Sequence, residues 1–447
     1  MKEKKEIHVG EEGIYDARAL GTPKMLVLGI QHVFAMFGAT VLVPLITGLN
    51  VSTTLLMAGL GTLLFHLVTK GKVPAFLGSS FAFLGGFAVV APKLTDPATG
   101  LNTIPNTEML PYACGGVFAA GLIYVAVAAL IHFFGVKKVM KFFPPIVTGP
   151  IIISIGLILA PSAITNASTN WLLAVVALSV IIICNIWGKG MVKIIPIIMG
   201  IGAAYIVAVF TGAIDFSTIA EASFFAPAPI TMAKFDVSAI LTIMPIALAA
   251  MMEHIGDVAA ISATVGKNYI ADPGLARTLM GDGLATSFAG LFGGPANTTY
   301  GENTGVLALT KVYDPRVVRI AAVVAILLSF IPKFDAIVNT IPAAIIGGIS
   351  LILYGMISAI GVRNVVENQV DFTKSRNLII AAVILVSALG FTSVGGLTIV
   401  NTGSLTISLS GLAIAAILGI ALNAILPGND YEFGSDLTGD TSANLQL

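Results

Sequence analysis

Charged residues are scarce in this sequence. Asp, Glu, Lys and Arg make up 10% of the 447 residues, whereas soluble domains carry about a quarter. The formal net charge is zero, so the composition does not favour a nucleic-acid partner. The scarcity of charge argues against an ordinary soluble domain.

Cysteine is also rare, and its two copies, Cys114 and Cys184, both lie inside apolar runs. We expect buried thiols there rather than a disulfide or a metal-binding pair. The sequence contains no HExxH or similar ligand spacing and no nucleophile–base motif. It therefore predicts neither an enzyme nor a metal site, and no cofactor.

Long apolar runs are abundant instead. Hydrophobic residues make up 56% of the chain and the mean hydropathy is +0.96. Many runs approach the ~20 residues that cross a bilayer. We predict about fourteen crossings near 24–46, 52–69, 79–91, 112–134, 143–160, 171–187, 194–211, 237–260, 277–293, 297–310, 317–332, 340–360, 377–391 and 405–426. The polar N-terminus leads into a full-length span, so we expect no removable signal peptide.

The placement of basic residues predicts the orientation of the chain. If the N-terminus is cytoplasmic, only Lys93, Lys234 and Lys333 fall outside, which is 3 of the 23 basic residues. Basic residues concentrate in cytoplasmic loops, and omitting either short crossing would destroy this asymmetry. Both termini are therefore expected in the cytoplasm, and the polar, acidic C-terminal tail is expected to be disordered.

Two halves of the sequence resemble each other. QHVFAMFGATVLV begins at Gln31 and EHIGDVAAISATV begins 222 residues later at Glu253; the same offset relates SSFAF (79–83) to GENTG (301–305). PPIVTGPIIISIGLIL from Pro144 similarly resembles PAAIIGGISLILYGMI from Pro342. Seven crossings per half is an odd number, so the halves would have opposite orientations. The sequence predicts an inverted repeat.

The segment NTTYGENTGV (297–306) suits neither a helix nor a strand. Glycines and polar residues are frequent in this segment. Glycines likewise interrupt its repeat partner, GSSFAFLGGFAVV. Irregular backbone at membrane depth must be buried in protein or line a cavity. The alternative interpretation is that both segments are ordinary glycine-rich helices that pack closely against their neighbours.

Four carboxylates fall inside predicted crossings: Glu253, Asp257, Asp282 and Glu302. Each costs about 2.5–3.5 kcal/mol to insert, which makes a functional role the default hypothesis. Glu253 and Asp257 are four residues apart, on one helix face, as suits a group that binds and releases a proton. Helix–helix hydrogen bonds are the structural alternative, and we expect Asp282 to be an interfacial carboxylate without a special role.

The histidines and aromatics allow two interpretations each. His32 and His254 flank the candidate site and either line it or brace it through hydrogen bonds. Tyr300 and Phe81 either stack on a flat ligand or simply pack.

Several motifs carry a family resemblance. ENTGVLALTK (302–311) resembles the signature of the nucleobase–ascorbate transporter family, also called nucleobase:cation symporter-2. QHVFAMFGATVLVP (31–44), PAFLGSSFAF (74–83) and PANTTYGENTGV (295–306) look most like the bacterial uracil permeases of that family. Together with the glutamate of MEHIGD, these motifs span nearly the whole chain.

The resemblance implies an all-α polytopic membrane protein of fourteen transmembrane segments in a seven-plus-seven inverted repeat, with segments 3 and 10 each a short strand and a half-helix. It also implies a core domain that moves against a gate domain like an elevator, with dimerisation through the gate. The implied division is a cytoplasmic tail (1–23), core (24–135), gate (136–211), core (236–332), gate (340–426) and a cytoplasmic tail (427–447).

The resemblance also assigns roles to residues. Glu253 and Glu302 would bind the nucleobase, and Glu253 with Asp257 would couple its movement to protons. Backbone N–H groups at Phe81 and Gly301 would address the ring oxygens, as would that of Glu302. The remaining implied site residues are Ala39 and Tyr300 as walls, Tyr354 on the gate side, and His32, His254, Asn303 and Thr304 as bracing residues.

Two positions bear on the substrate. Some uracil permeases have histidine where this chain has Asp257, and aspartate is common there in purine-transporting relatives. Glu302 resembles the uracil group, since purine carriers commonly have glutamine at that position. The leading hypothesis is a proton-coupled uracil importer of a bacterial inner membrane, driven by the proton gradient.

Three alternatives remain. The first is a xanthine or urate proton symporter of the same family, and the second is an anion carrier of the same architecture. The third is a membrane enzyme that uses Glu253 and Asp257 as acid and base, or that holds a metal with His254.

Overall fold

The structure, a computed structural model, describes residues 9–97, 100, 102–401, 406–429 and 431. The tail predicted to be disordered lies almost wholly outside these residues. Within the described part, seven helices are long and apolar enough to cross a membrane, or eight if one bent pair is a single span. Helices satisfy their own backbone hydrogen bonds, which hydrocarbon demands. The predicted mostly helical, polytopic membrane fold is confirmed.

The first half of the chain contains ten helices among the described residues. Their bounds are α1 Thr22–Thr47, α2 Val51–Val68, α3 Leu84–Val90, α4 Leu110–Phe134, α5 Val136–Met140, α6 Pro145–Ser168, α7 Trp171–Trp187, α8 Met191–Ile194, α9 Pro196–Phe210 and α10 Ser217–Glu221. The second half contributes α11 Val237–Ile243, α12 Ile246–Val265, α13 Leu275–Leu291, α14 Gly301–Thr310, α15 Pro315–Leu328, α16 Pro332–Asn339, α17 Ala343–Glu367, α18 Ser375–Ser393 and α19 Gly411–Ile425.

In the part of the chain that the structure describes, six short strands form three antiparallel pairs. They are β1 Leu77–Ser79, β2 Leu94–Thr95, β3 Asn102–Ile104, β4 Asn297–Thr299, β5 Leu397–Asn401 and β6 Thr406–Leu409. β1 pairs with β4, β2 with β3, and β5 with β6. The first pair joins segments more than 200 residues apart.

Buried hydroxyl groups complete the hydrogen bonding of β1 and β4. Leu77 lies opposite Thr299, and every residue of both strands is buried. Thr62 of α2 donates to the Leu77 carbonyl at 3.0 Å and accepts from its N–H at 2.9 Å. Thr286 of α13 donates to the Asn297 carbonyl at 2.9 Å. Non-helical backbone is tolerated here because protein groups satisfy it.

Small residues bring the long helices into close contact. A Cβ on Gly156 of α6 would lie 2.1 Å from the Tyr354 carbonyl of α17, and one on Gly121 of α4 would lie 2.5 Å from the Gly283 carbonyl of α13. Such approaches are typical of helix packing in membranes, where dispersion replaces the hydrophobic effect. α6–α17 and α4–α13 are the most extensive helix pairs in the described structure.

Two predicted crossings differ from the structure. The last one was expected from residue 405, but β6 occupies 406–409 and α19 begins at Gly411. The crossing predicted over 317–332 ends earlier, because α15 ends at Leu328, and a further helix, α16, follows at 86°. Pro332 at the start of α16 cannot continue the hydrogen bonding of the preceding helix. Hydropathy alone shows neither the hairpin nor the bend.

Candidate functional site

Glu302 lies in the first turn of α14, directly after strand β4. The first N–H groups of a helix have no partner within it, and the N-terminus carries partial positive charge. Gly301 beside it is exposed, and a Cβ there would lie 3.7 Å from Asp257 Oδ1. On the other side of the strand pair, the half-buried Phe81 begins a short 3-10 turn after β1. Two helical N-termini therefore start at one strand pair.

Helix α12 brings a second set of acidic side chains to α14, against which it packs. Glu253 and Asp257 lie on it, and both are partly buried. Thr299 of β4 donates its hydroxyl to Asp257 Oδ2 at 2.8 Å. Since α12 packs against α14, Glu253, Asp257 and Glu302 come from neighbouring helices. Carboxylates accept hydrogen bonds, so these side chains suit a ligand that donates them.

The expectation that Asp282 lies at the interface is wrong. Instead of facing the interface, its side chain is fully buried in α13, and its Oδ2 lies 3.0 Å from His254 Nδ1 of α12. The two atoms are at ion-pair distance without the alignment of a hydrogen bond. The burial follows from close packing, since Gly281 and Gly283 on either side leave no room for a Cβ. Asp282 thus lies inside the protein, with His254 beside it.

His32 and Asn303 meet across α1 and α14. The Asn303 amide nitrogen lies 2.9 Å from His32 Nδ1 and donates to the His32 carbonyl at 3.1 Å. Both side chains are buried, so the contact fixes α14 next to α1 one residue after Glu302. Thr304 is also buried, but its hydroxyl has no hydrogen bond among the described residues.

Tyr300 is packed inside the protein. Its hydroxyl donates to the Ser79 carbonyl at 3.0 Å and accepts from Thr40 at 3.2 Å. Its ring covers Gly78, where a Cβ would lie 2.5 Å from two ring carbons. Tyr300 therefore joins β1, β4 and α1, and Ala39 next to Thr40 is buried on the same helix.

A cavity of about 540 Å³ opens beside this region, between α1, α7 to α9, α14 and α17. Of the residues predicted for the site, Ala39 and Glu302 line it. Tyr354 is buried within α17, whereas its neighbours Leu353 and Met356 line the cavity. The structure thus brings the two acidic helices together and places Tyr354 apart from the cavity.

Three residues that the structure places here have no predicted role in the sequence. Asn185 and Lys193 line the cavity from the chain around α7 and α8. Asn185 is a polar residue in an apolar run, which is a usable signal; Lys193 resembles any basic loop residue. Thr299 holds Asp257, but in the sequence it is indistinguishable from Thr298 beside it.

Comparisons with known proteins agree with this structure. Residues 23–396 match a family model, Xan_ur_permease, described as "Permease family". The uracil permease of Bacillus caldolyticus is 42% identical over 380 residues, which are 82% of this chain and 85% of that protein. The uracil permease of Bacillus subtilis (strain 168) is 40% identical over 407 residues, 87% of this chain and 89% of that protein.

A solved structure shows the same fold. That of SLC26A9 aligns with a TM-score of 0.63 at 12% identity, covering 90% of this chain and 64% of that chain. At this identity the likeness establishes the fold alone. The match over most of the chain and the 40% identity of the curated relatives confirm the resemblance seen in the motifs. This multi-pass membrane protein belongs to the nucleobase–ascorbate transporter family of permeases.

Proposed function

We propose that this protein imports uracil together with protons across a bacterial inner membrane. The observation that carries the proposal is the position of Glu302, which lines a cavity at the N-terminus of α14, the helix against which α12 packs. Uracil presents two N–H donors and two carbonyl acceptors on one flat ring. Carboxylates accept from the former, and N–H groups at helix starts donate to the latter.

Within this proposal Glu253 and Glu302 bind the ring, and the backbone at Phe81 and Gly301 meets its oxygens. Glu253 and Asp257 exchange the coupled proton, since they lie about one turn apart on α12, where Asp257 accepts the hydroxyl of Thr299 in β4. His32, Asn303 and His254 brace these helices. The driving force is the proton gradient, without a cofactor.

The architecture we propose is fourteen segments in two inverted repeats. Helix contacts support it, because the most extensive inter-helix pairs have equivalents in the other half. α4–α13 corresponds to α2–α15, α7–α9 to α18–α19, and α7–α17 to α18–α6. The α6–α17 and β1–β4 pairs are their own equivalents, as elements on a pseudo-two-fold axis must be.

We further propose that segments 1–4 and 8–11 form a core that moves past a gate of segments 5–7 and 12–14. The cavity supports this division, since it is lined both by α1 and α14 of the core and by α7 to α9 and α17 of the gate. Dimerisation through the gate and cytoplasmic termini complete the proposal.

Uptake of radiolabelled uracil by reconstituted protein tests the function. We expect accumulation with a pH gradient, acid outside, and only equilibration without one. Excess unlabelled uracil should compete better than xanthine at equal concentration. Stronger competition by xanthine would indicate a purine substrate instead of uracil. Asp257 would agree with that result, since aspartate is common at this position in purine-transporting relatives. Uptake that ignores the gradient would contradict proton coupling.

A further inference from the structure

The segment before α1 is folded against the C-terminal ends of α12 and α14, the helices that carry Glu253 and Glu302. We call residues 10–20 the N-terminal strap. Its Gly10 N–H donates to the Thr310 carbonyl at 3.0 Å, and its Ile14 N–H donates to the Lys311 carbonyl at 2.8 Å. Tyr313 returns a bond from its N–H to the Ile14 carbonyl at 2.8 Å. The carbonyls at the end of a helix lack partners within it, and the strap supplies them for α14.

Tyr15 extends the strap to the end of α12. Its hydroxyl donates to the carbonyl of Val265, the last residue of α12, at 2.7 Å. Its ring lies 5.4 Å from the Tyr313 ring, which follows α14, and Lys267 Nζ lies 4.4 Å from its centroid. One side chain therefore contacts the chain that follows both acidic helices.

The strap is itself firmly held. Asp314, which caps α15, accepts from the Ala17 N–H at 2.8 Å through a buried carboxylate. Ile14, Ala17 and Leu20 are buried in an apolar cluster with Leu28 of α1, Val317 of α15 and Val312, which lies between α14 and α15. These contacts give the strap a fixed position from which Tyr15 can act.

We propose that the N-terminal strap positions the binding site, with Tyr15 as the positioning residue that holds the C-terminal ends of α12 and α14 together. Glu253 lies twelve residues before Val265, and Glu302 lies eight before Thr310, or about 18 Å and 12 Å along their helices. A tilt of either helix at its C-terminal end changes the distance between the two carboxylates. Two groups that share one small ring tolerate errors of well under about 1 Å. The inference rests on the proposed function, in which both glutamates hold one nucleobase.

The variant Tyr15→Phe tests it, because it keeps the ring and removes the hydroxyl that binds Val265. The matched control is Tyr313→Phe, since the Tyr313 hydroxyl has no hydrogen bond within the described part of the chain. For Tyr15→Phe we expect the KM for uracil to rise about two- to tenfold, the effect of one hydrogen bond. Vmax and the amount of folded protein should stay within about twofold, and the control should match the wild type.

Hydrogen exchange of the purified protein gives a second readout that needs no substrate. Tyr15→Phe should speed amide exchange at the ends of both α12 and α14, around 262–267 and 307–313, and Tyr313→Phe should not. Equal amide exchange and equal KM in the two variants would overturn the inference. A fall of Vmax in Tyr15→Phe that follows the amount of folded protein, with KM unchanged, would overturn it as well. Wild-type protein that takes up no uracil would contradict the proposed function instead, and the exchange comparison would then decide the role of the strap.

Discussion

At the scale of single residues, Thr298 and Thr299 offer a direct comparison of two identical neighbours. Successive side chains of a strand point to opposite faces, so Thr299 reaches Asp257 while the buried Thr298 hydroxyl has no hydrogen bond among the described residues. Thr299→Val leaves Asp257 without this bond, a loss of about 1–3 kcal/mol. We expect proton-driven accumulation of uracil to fall at least tenfold while binding falls less.

Thr298→Val is the control for that experiment, and it should accumulate uracil like the wild type. Accumulation and equilibrium binding are measured on the same purified samples. If both valine variants accumulate equally, Thr299 has no role in coupling through Asp257.

Substitutions of the two glutamates, Glu302 and Glu253, should impair different steps of transport. Glu302→Ala removes a group that lines the cavity, so uracil binding should drop below detection in calorimetry. Glu253→Gln keeps a hydrogen-bonding side chain without a titratable proton, so accumulation should vanish while exchange of labelled for unlabelled uracil continues. Accumulation by Glu253→Gln would assign the coupled proton to another carboxylate. Asp257→Asn should weaken coupling more than binding.

At the scale of elements, the β1–β4 pair depends on Gly78. A methyl group there would lie 2.5 Å from the Tyr300 ring, whose hydroxyl is fixed by Ser79 and Thr40. Gly78→Ala should therefore lower the free energy of unfolding by about 1–3 kcal/mol. The displaced strand would also move Glu302 and weaken uracil binding.

A thermal-stability assay with and without uracil measures both effects. Gly202→Ala is the control, because a Cβ on that α9 glycine meets nothing within 4 Å. Unchanged stability and affinity in Gly78→Ala would show that Tyr300 can be displaced without moving β4.

Prediction from sequence worked unevenly at this scale. Long apolar helices such as α4 were placed within a few residues, because hydropathy is a local property of each span. The bent helix α16 and the β5–β6 hairpin are not predicted, since an apolar run has the same composition whether it is straight, bent or extended.

At the scale of the whole molecule, the proposed movement of core against gate requires the cavity walls to separate. Ile194 of α8 and Gly305 of α14 face each other there, and a Cβ on Gly305 would lie 3.7 Å from Ile194 Cγ1. Cysteines at both positions, joined by a short cleavable cross-linker, should abolish uptake, and cleavage should restore it. The native Cys114 and Cys184 are buried, which limits side reactions.

Each single-cysteine variant treated with the same reagent serves as the control. Continued transport by fully cross-linked protein would show that α8 and α14 stay together during the cycle, and it would rule out a boundary between the moving parts at this contact.

The sequence by itself determined the membrane class, the approximate spans and the four acidic positions, because the cost of placing charge in hydrocarbon is paid residue by residue. It also determined the family, through short motifs that carry their residues in fixed order. Only the tertiary structure decided which of those residues meet. The pairing of β1 with β4, the contact of Asp282 with His254 and the reach of Tyr15 to Val265 join distant parts of the chain, and local composition does not encode such distances.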